Sequence, residues 1–297
     1  MLINQSALRA VTTGFKTVFN GALAAAPSHW QRVAMLVPSG HRSETYAWLG
    51  AIPRLREWVG ERVVQNLRAH DYTIKNRSFE ATIGVDRNDI EDDSYAVYAP
   101  FIAQLAEEAK SHPDELVFGL LKNGFTEKGY DGQNFFDTDH PVVDEAGAEQ
   151  SVSNLGGGAG EPWFLLDVSR AVKPLIFQRR RDYTFTAMDK IDDERVFMRR
   201  EFRYGIDARV NAGFGLWQLA YASRQPLDAT SYGDARAAMM SFKADGGRPL
   251  NIRPTLLVVP PSLERAGLEV LKAEHTAAGA TNVYKDSADL LVTQWLA

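Results

Sequence analysis

Cysteine is absent from this chain, and that one absence removes structural disulfides, thiolate zinc sites, iron–sulfur clusters and a cysteine nucleophile together. No apolar run reaches the roughly 18 residues that a membrane-spanning helix needs. The opening Met1-Leu-Ile-Asn-Gln-Ser has neither the basic nor the apolar region of a secretory leader, so secretion is not expected. The histidines at 29, 41, 70, 112, 140 and 275 fall in no His-Glu-x-x-His spacing, and no Gly-x-Ser-x-Gly elbow occurs. Internal repeats and coiled-coil heptads are also missing. An excess of positive charge is lacking: the net charge is −5 and the pI about 5.7, which argues against a dedicated nucleic-acid binder. Arg179-Arg180-Arg181 and Arg199-Arg200 are the local basic patches that could still touch phosphate.

What is present is an ordinary globular composition, 45% hydrophobic and 24% charged over 297 residues. A chain of this size buries roughly three quarters of its unfolded surface, so it needs neither disulfide nor metal to hold a core.

Leu8, Val11, Phe15, Val18, Phe19 and Leu23 recur three and four apart and end at Pro27, which predicts an amphipathic helix over 5–25. Its apolar stripe must dock, either on the chain's own core or on a neighbouring copy. Residues 30–90 read as strands and turns, with short apolar runs at Val33–Val37 and Tyr46–Leu49. Tyr72 and Ile74, then Phe79, Ala81, Ile83 and Val85, alternate with polar residues around Lys75-Asn76-Arg77, which predicts a β-hairpin arm. The carboxylates of Asp86–Ser94 precede a helical stripe from Val97 to Ala109, where they would favour the positive end of its dipole. Pro100 fits the first turn of that helix, and a second helix is expected after Pro113, closed by Asn123-Gly124. Gly129–Gly160 shows no period and reads as a long loop or flexible linker. Residues 163–220 read as a sheet, and the last seventy alternate helix, strand, helix, strand as a compact α/β unit.

Four segments could carry chemistry or binding. Asp137-Thr-Asp139-His140 places two carboxylates and an imidazole within four residues, enough to ligate a divalent ion, but Phe136–Pro141 is more simply a turn in which Asp side chains accept nearby N–H groups. Asp86, Asn88, Ile90 and Glu91 echo a calcium loop yet lack its glycine and its closing glutamate, so helix capping is the better reading. Gly156-Gly-Gly-Ala-Gly160 lacks the Lys-Ser/Thr and the helix onset of a phosphate cradle, which leaves flexibility. Arg54-Leu-Arg-Glu-Trp-Val-Gly-Glu-Arg62 mixes Arg and Trp with acid and suits a subunit contact better than a nucleic-acid groove.

Several stretches taken in order resemble the major head subunits of Mu-like tailed phages: RLREWVGERVVQN (54–66), YTIKNRSFEATIGVDRNDIEDD (72–93), HPDELVFGLL (112–121), YDGQNFFDTDHP (130–141), PTLLVVPPSL (254–263) and LLVTQWLA (290–297). The ordered set carries the resemblance, and it spans nearly the whole chain. It implies an α+β, HK97-like capsid fold with an N-terminal arm over 1–30, strands and an extended hairpin arm over 31–88, a peripheral domain with a spine helix and long loop over 89–226, and an axial domain over 227–297. It implies a structural protein, not an enzyme, with no cofactor and no metal. The expected function is self-assembly through hexamers and pentamers into an icosahedral head around double-stranded DNA, in the virion and, during assembly, in the host cytoplasm. Expected partners are other copies, a scaffolding protein, the portal, a decoration protein and non-specifically contacted packaged DNA; no membrane is involved. Arg54, Arg56, Trp58, Arg62, Phe79, Phe15 and Phe19 are the candidate subunit contacts. A cellular nanocompartment shell of the same fold, or a hydrolase using metal at Asp137, Asp139 and His140, are the competing readings.

Overall fold

A computed structural model describes residues 4–49, 71–92, 94–276 and 279–297. In chain order the elements are α1 (Gln5–Ala25), α2 (Trp30–Val33), β1 (Ala34–Pro38), β2 (Ser43–Thr45), β3 (Thr73–Lys75), β4 (Arg77–Asp86), α3 (Arg87–Glu91) and α4 (Ala99–Asn123). There follow β5 (His140–Val143), β6 (Glu149–Val152), β7 (Leu155–Gly158), β8 (Trp163–Leu166), β9 (Leu175–Met188), α5 (Glu194–Arg199) and β10 (Glu201–Phe214). The chain closes with β11 (Ala220–Arg224), α6 (Ala229–Met240), β12 (Leu256–Val259), α7 (Glu264–Leu271) and β13 (Asp289–Val292).

Two sheets organise the molecule: a four-stranded one in the order β1-β9-β10-β4 and a five-stranded one in the order β13-β12-β8-β11-β7. In β10, Phe202, Tyr204, Ile206, Ala208 and Val210 are buried while Arg203, Gly205, Asp207 and Arg209 turn outward, the two-residue period of a sheet covered on one face. The helices α1 and α4 cover it. Leu8, Val11, Phe15 and Phe19 of α1 meet Ile102, Leu105, Ala106 and Ala109 of α4 above Val85, Phe202, Tyr204 and Ile206. Each fully buried side chain of this kind stabilises by about 1.5–3 kcal/mol. The stripe of α1 is thus satisfied within its own chain. By contrast, Trp163–Leu166 and Leu256–Val259 are buried along their whole length, as central strands covered on both faces are.

Helix α4 connects the two cores. Its first half packs in the core with α1, and its second half contributes Val117, Phe118 and Leu121 to the core of the five-stranded sheet. The two helices expected on either side of Pro113 are therefore one 25-residue helix. An internal proline costs about 3 kcal/mol through its missing N–H and its ring clash, and burial of apolar residues on both sides of Pro113 outweighs it.

Four further expectations are corrected. Residues 72–85 do not form a hairpin: one residue, Asn76, separates β3 from β4, too few for a reversal, and β3 pairs with β2 while β4 pairs with β10. The long antiparallel pair is instead β9 with β10, 14 residues each. Tyr46–Leu49 is a turn, closed by Leu49 N–H donating to Tyr46 O at 3.1 Å, and not a strand. The carboxylates after β4 do not serve the start of α4, whose first turn contains no acid; Asp86 instead caps the short α3, accepting from Asn88 N–H. The stretch 129–160 is no linker, for it holds the hairpin β5–β6 and the edge strand β7.

The strands expected as one sheet over 163–220 are divided between the two sheets, β8 going to one and β9 and β10 to the other. The α/β unit of the last seventy residues likewise does not close on itself. Three of the five strands of its sheet, β7, β8 and β11, lie before residue 227.

Candidate functional site

The most enzyme-like cluster in the sequence resolves into three separate structural roles. His140 is fully buried at the start of β5 and lies flat on Trp217, ring centroids 4.0 Å apart and planes 10° apart. Its Nδ1 meets Asp131 Oδ2 at 2.6 Å and its Nε2 meets Asn154 Oδ1 at 3.1 Å. Asn154 is itself locked, since its Nδ2 donates to the carbonyls of Phe135 and Ala220 and its Oδ1 also accepts from Asp137 N–H. Asp137 accepts from the N–H groups of Asn134 and Thr138, and Asp139 accepts from the Ser151 hydroxyl. The three side chains face different partners, and among the described residues no group of three or more His, Asp or Glu converges on a point. This cluster fastens the 124–154 segment to the five-stranded sheet; it does not assemble a reaction centre.

The glycine run has a packing explanation. A Cβ at Gly156 would lie 2.7 Å from Ser223 Oγ, and one at Gly158, where φ is +90°, would lie 2.3 Å from the Arg224 backbone. Flexibility is not its role; β7 approaches β11 more closely than a side chain permits.

A second histidine occupies a small cleft of about 150 Å³ between α4 and the four-stranded sheet. His112 Nδ1 meets the Tyr183 hydroxyl at 2.5 Å, and its ring stands edge-on to Phe79 with centroids 4.2 Å apart. Burial lowers the His112 pKa, Arg77 adds to that, and Glu115 opposes it. Burial likewise pushes up the Tyr183 hydroxyl. Residue by residue the sequence offered no hint of this site, because its parts come from α4, β4 and β9.

The candidate contact residues separate in the same way. Arg54, Arg56, Trp58 and Arg62 lie outside the described residues. Phe15 and Phe19 are spent inside the chain, Phe15 edge-on to Tyr204 at 4.9 Å and Phe19 against Phe185 at 5.2 Å. Phe79 is half-buried against His112. Of the basic triplet, Arg179 pairs with Asp182, Arg181 pairs with Asp207, and Arg180 donates to the Gly40 carbonyl, so two of the three charges are already matched. A surface that sequence reading passed over is the end of the β9–β10 pair, where Phe197 and Met198 stand in solvent. The signal was there: an apolar Val196-Phe197-Met198 set in a stretch otherwise mostly charged.

Among the described residues the long β9–β10 pair lies between β1 and β4 in one sheet, α4 runs through two cores, and no His, Asp or Glu cluster converges. Comparison with known proteins defines the class, a capsid subunit. Residues 8–296 match the family described as Mu-like prophage major head subunit gpT. The chain is 44% identical to the major capsid protein of Escherichia phage Mu over the full length of both. It is 43% identical to the Mu-like prophage FluMu major head subunit of Haemophilus influenzae, covering 90% of this chain and 89% of that one. Among solved structures it is similar to the procapsid of bacteriophage JBD30, at TM-score 0.88 and 49% identity over 99% of this chain and 100% of that one. For the JBD30 capsid the TM-score is 0.79 at 35% identity, with both chains fully covered. The chain belongs to the family of Mu-like major head subunits; it is an HK97-type structural capsid protein and not an enzyme.

Proposed function

We propose that this chain assembles through hexamers and pentamers into the icosahedral head that encloses the double-stranded DNA of a Mu-like phage. The observation that carries the reading is the similarity over nearly the full length to a chain of the JBD30 procapsid and to a chain of the JBD30 capsid. In such a head, residues 1–30 act as the N-terminal arm, and Arg54, Arg56, Trp58 and Arg62 are the proposed contacts with a neighbouring copy. The spine α4 and the β4, β9, β10 strands form the peripheral body. The five-stranded sheet with α6 and α7 forms the axial body, which draws on 155–166 and 220–224 as well as on 227–297.

A mildly acidic subunit suits this role, because a wall that held phosphate tightly would hinder genome entry and exit. Scaffolding and portal proteins are the partners during assembly in the host cytoplasm. A decoration protein is a further partner, by analogy with the JBD30 capsid decorated with minor capsid protein trimers. The test is negative-stain microscopy and size-exclusion chromatography of the full chain, expressed with and without its neighbouring scaffold gene. Closed shells, or rings of five and six, support the reading. A monodisperse monomer in both conditions overturns it.

A further inference from the structure

Where α4 crosses the four-stranded sheet, three alanines meet: Ala109 of α4, Ala81 of β4 and Ala208 of β10. A methyl group reaches less far than the side chains around it, and the His112 cleft of about 150 Å³ is the space left over. Ile206 and the Phe79 ring complete an apolar floor, and the His112–Tyr183 pair forms part of the wall. A void of this size holds a molecule about as large as benzene. It is too small for a helix or strand of another protein.

The mouth of the cleft has a definite sign. Glu108, His112 and Glu115 lie four and three residues apart, on one face of α4. Both glutamates are exposed, and neither carboxylate has a hydrogen bond or an ion pair among the described residues. Glu80 and Asp207 also line the cleft, but Glu80 accepts from the Thr82 hydroxyl at 2.9 Å and Asp207 pairs with Arg181. Arg77 brings a positive charge near, its guanidinium carbon 5.1 Å from the Phe79 ring centroid. With His112 neutral, two free carboxylates against one guanidinium leave one negative charge in excess. An ammonium group meets these carboxylates through charge-assisted hydrogen bonds, and a short apolar chain behind it displaces water from the alanines. An anion would face like charge, and an uncharged molecule would leave the carboxylates unmatched.

We propose that this cleft binds a small organic ammonium ion, its charged end between Glu108 and Glu115 and its apolar body on Ala81, Ala109, Ala208 and Ile206. Seated there, the ion joins α4 to β4 and β10 beside Pro113, where the helix lacks one of its own hydrogen bonds. The site lies within a single chain and stands independently of how copies assemble.

The experiment titrates the full chain near neutral pH with n-butylammonium, and separately with n-butanol and with ammonium, by calorimetry and saturation-transfer NMR. The wild type is expected to bind n-butylammonium saturably, and to bind n-butanol, which lacks the charge, and ammonium, which lacks the body, at least about tenfold more weakly. Glu108→Gln/Glu115→Gln is expected to melt within a few degrees of wild type and to weaken n-butylammonium about tenfold. Ala81→Leu, which fills the floor, is expected to abolish binding. Absence of saturable n-butylammonium binding to wild type would overturn the proposal, and so would equal affinity for n-butanol. An Ala81→Leu chain that melts like wild type and binds as tightly would also overturn it, since the amine would then sit elsewhere. The two probe comparisons use wild type alone, so they decide the matter even where a variant does not fold.

Discussion

Asp114, in the middle of α4, accepts the backbone N–H of Trp30 at 2.6 Å across 84 residues of chain. The same carboxylate takes the N–H of His29, at 2.9 Å to Oδ2 and 3.0 Å to Oδ1, and the Ser28 hydroxyl at 3.0 Å. It caps α2 from outside, where His29, the residue at the capping position, makes no side-chain cap bond. Because the group is buried, removing it strands donors that water does not reach. Asp114→Ala is expected to lower stability by about 2–4 kcal/mol, read as a fall in the denaturant midpoint at unchanged slope. Asp114→Asn, which keeps one acceptor oxygen, should lose less. Equal losses from both would show that the charge, and not the acceptor count, sets the cap.

His140 connects Asp131, Asn154 and Trp217. His140→Ala leaves a cavity on Trp217 and two polar partners unmet, and is expected to cost about 3 kcal/mol. Overnight dialysis against a chelator should leave the melting temperature of the wild type unchanged. A drop of several degrees, reversed by adding a divalent ion, would show that the Asp137–His140 turn does hold a metal.

The His112 cleft sets a pH dependence with a definite sign. Its folded pKa lies below the ordinary 6.5 because burial disfavours the charged ring. The unfolded chain therefore binds the proton first as pH falls. The stability associated with neutral His112 is intact above about 6.5 and is lost as pH falls through the lower folded value. Glu115, Arg77 and Tyr183 face the ring. Urea titrations of wild type and His112→Gln are expected to diverge below pH 6.5, with the variant losing less on acidification. Parallel curves down to pH 5 would refute this account, 5 being about the lower limit of ordinary histidine titration.

Gly158→Ala separates a packed edge from a flexible linker. A methyl there collides with the Arg224 backbone in a left-handed conformation, so a loss of about 2–3 kcal/mol is expected. Gly147→Ala, at φ +83° with open space around it, should cost only about 1 kcal/mol. Similar small losses at both positions would restore the linker reading.

Legibility in the sequence followed the range of the interaction concerned. The stripe Leu8–Val11–Phe15–Phe19 announced α1 because a helix is stabilised by neighbours three and four residues away, and the strands 256–259 and 289–292 fell where short apolar runs put them. Alternation over Tyr72–Val85 identified strands but not their partners, since pairing is chosen by residues as distant as Arg209, which lies opposite Ser78. Pro113 reads locally as a break, and only the two cores on either side of it make the helix continuous. A glycine run looks the same in composition whether it is loose or pressed against another strand.

The sequence by itself determined the family, through an ordered set of segments, and with it the α+β class and a structural role, because such a set is information carried along one dimension. Tertiary structure alone decided that His140 is a fastener, that α1 spends Phe15 and Phe19 on its own core, and that Phe197 and Met198 are left outside. Burial decides each of these, and burial is a property of which distant segments meet in space.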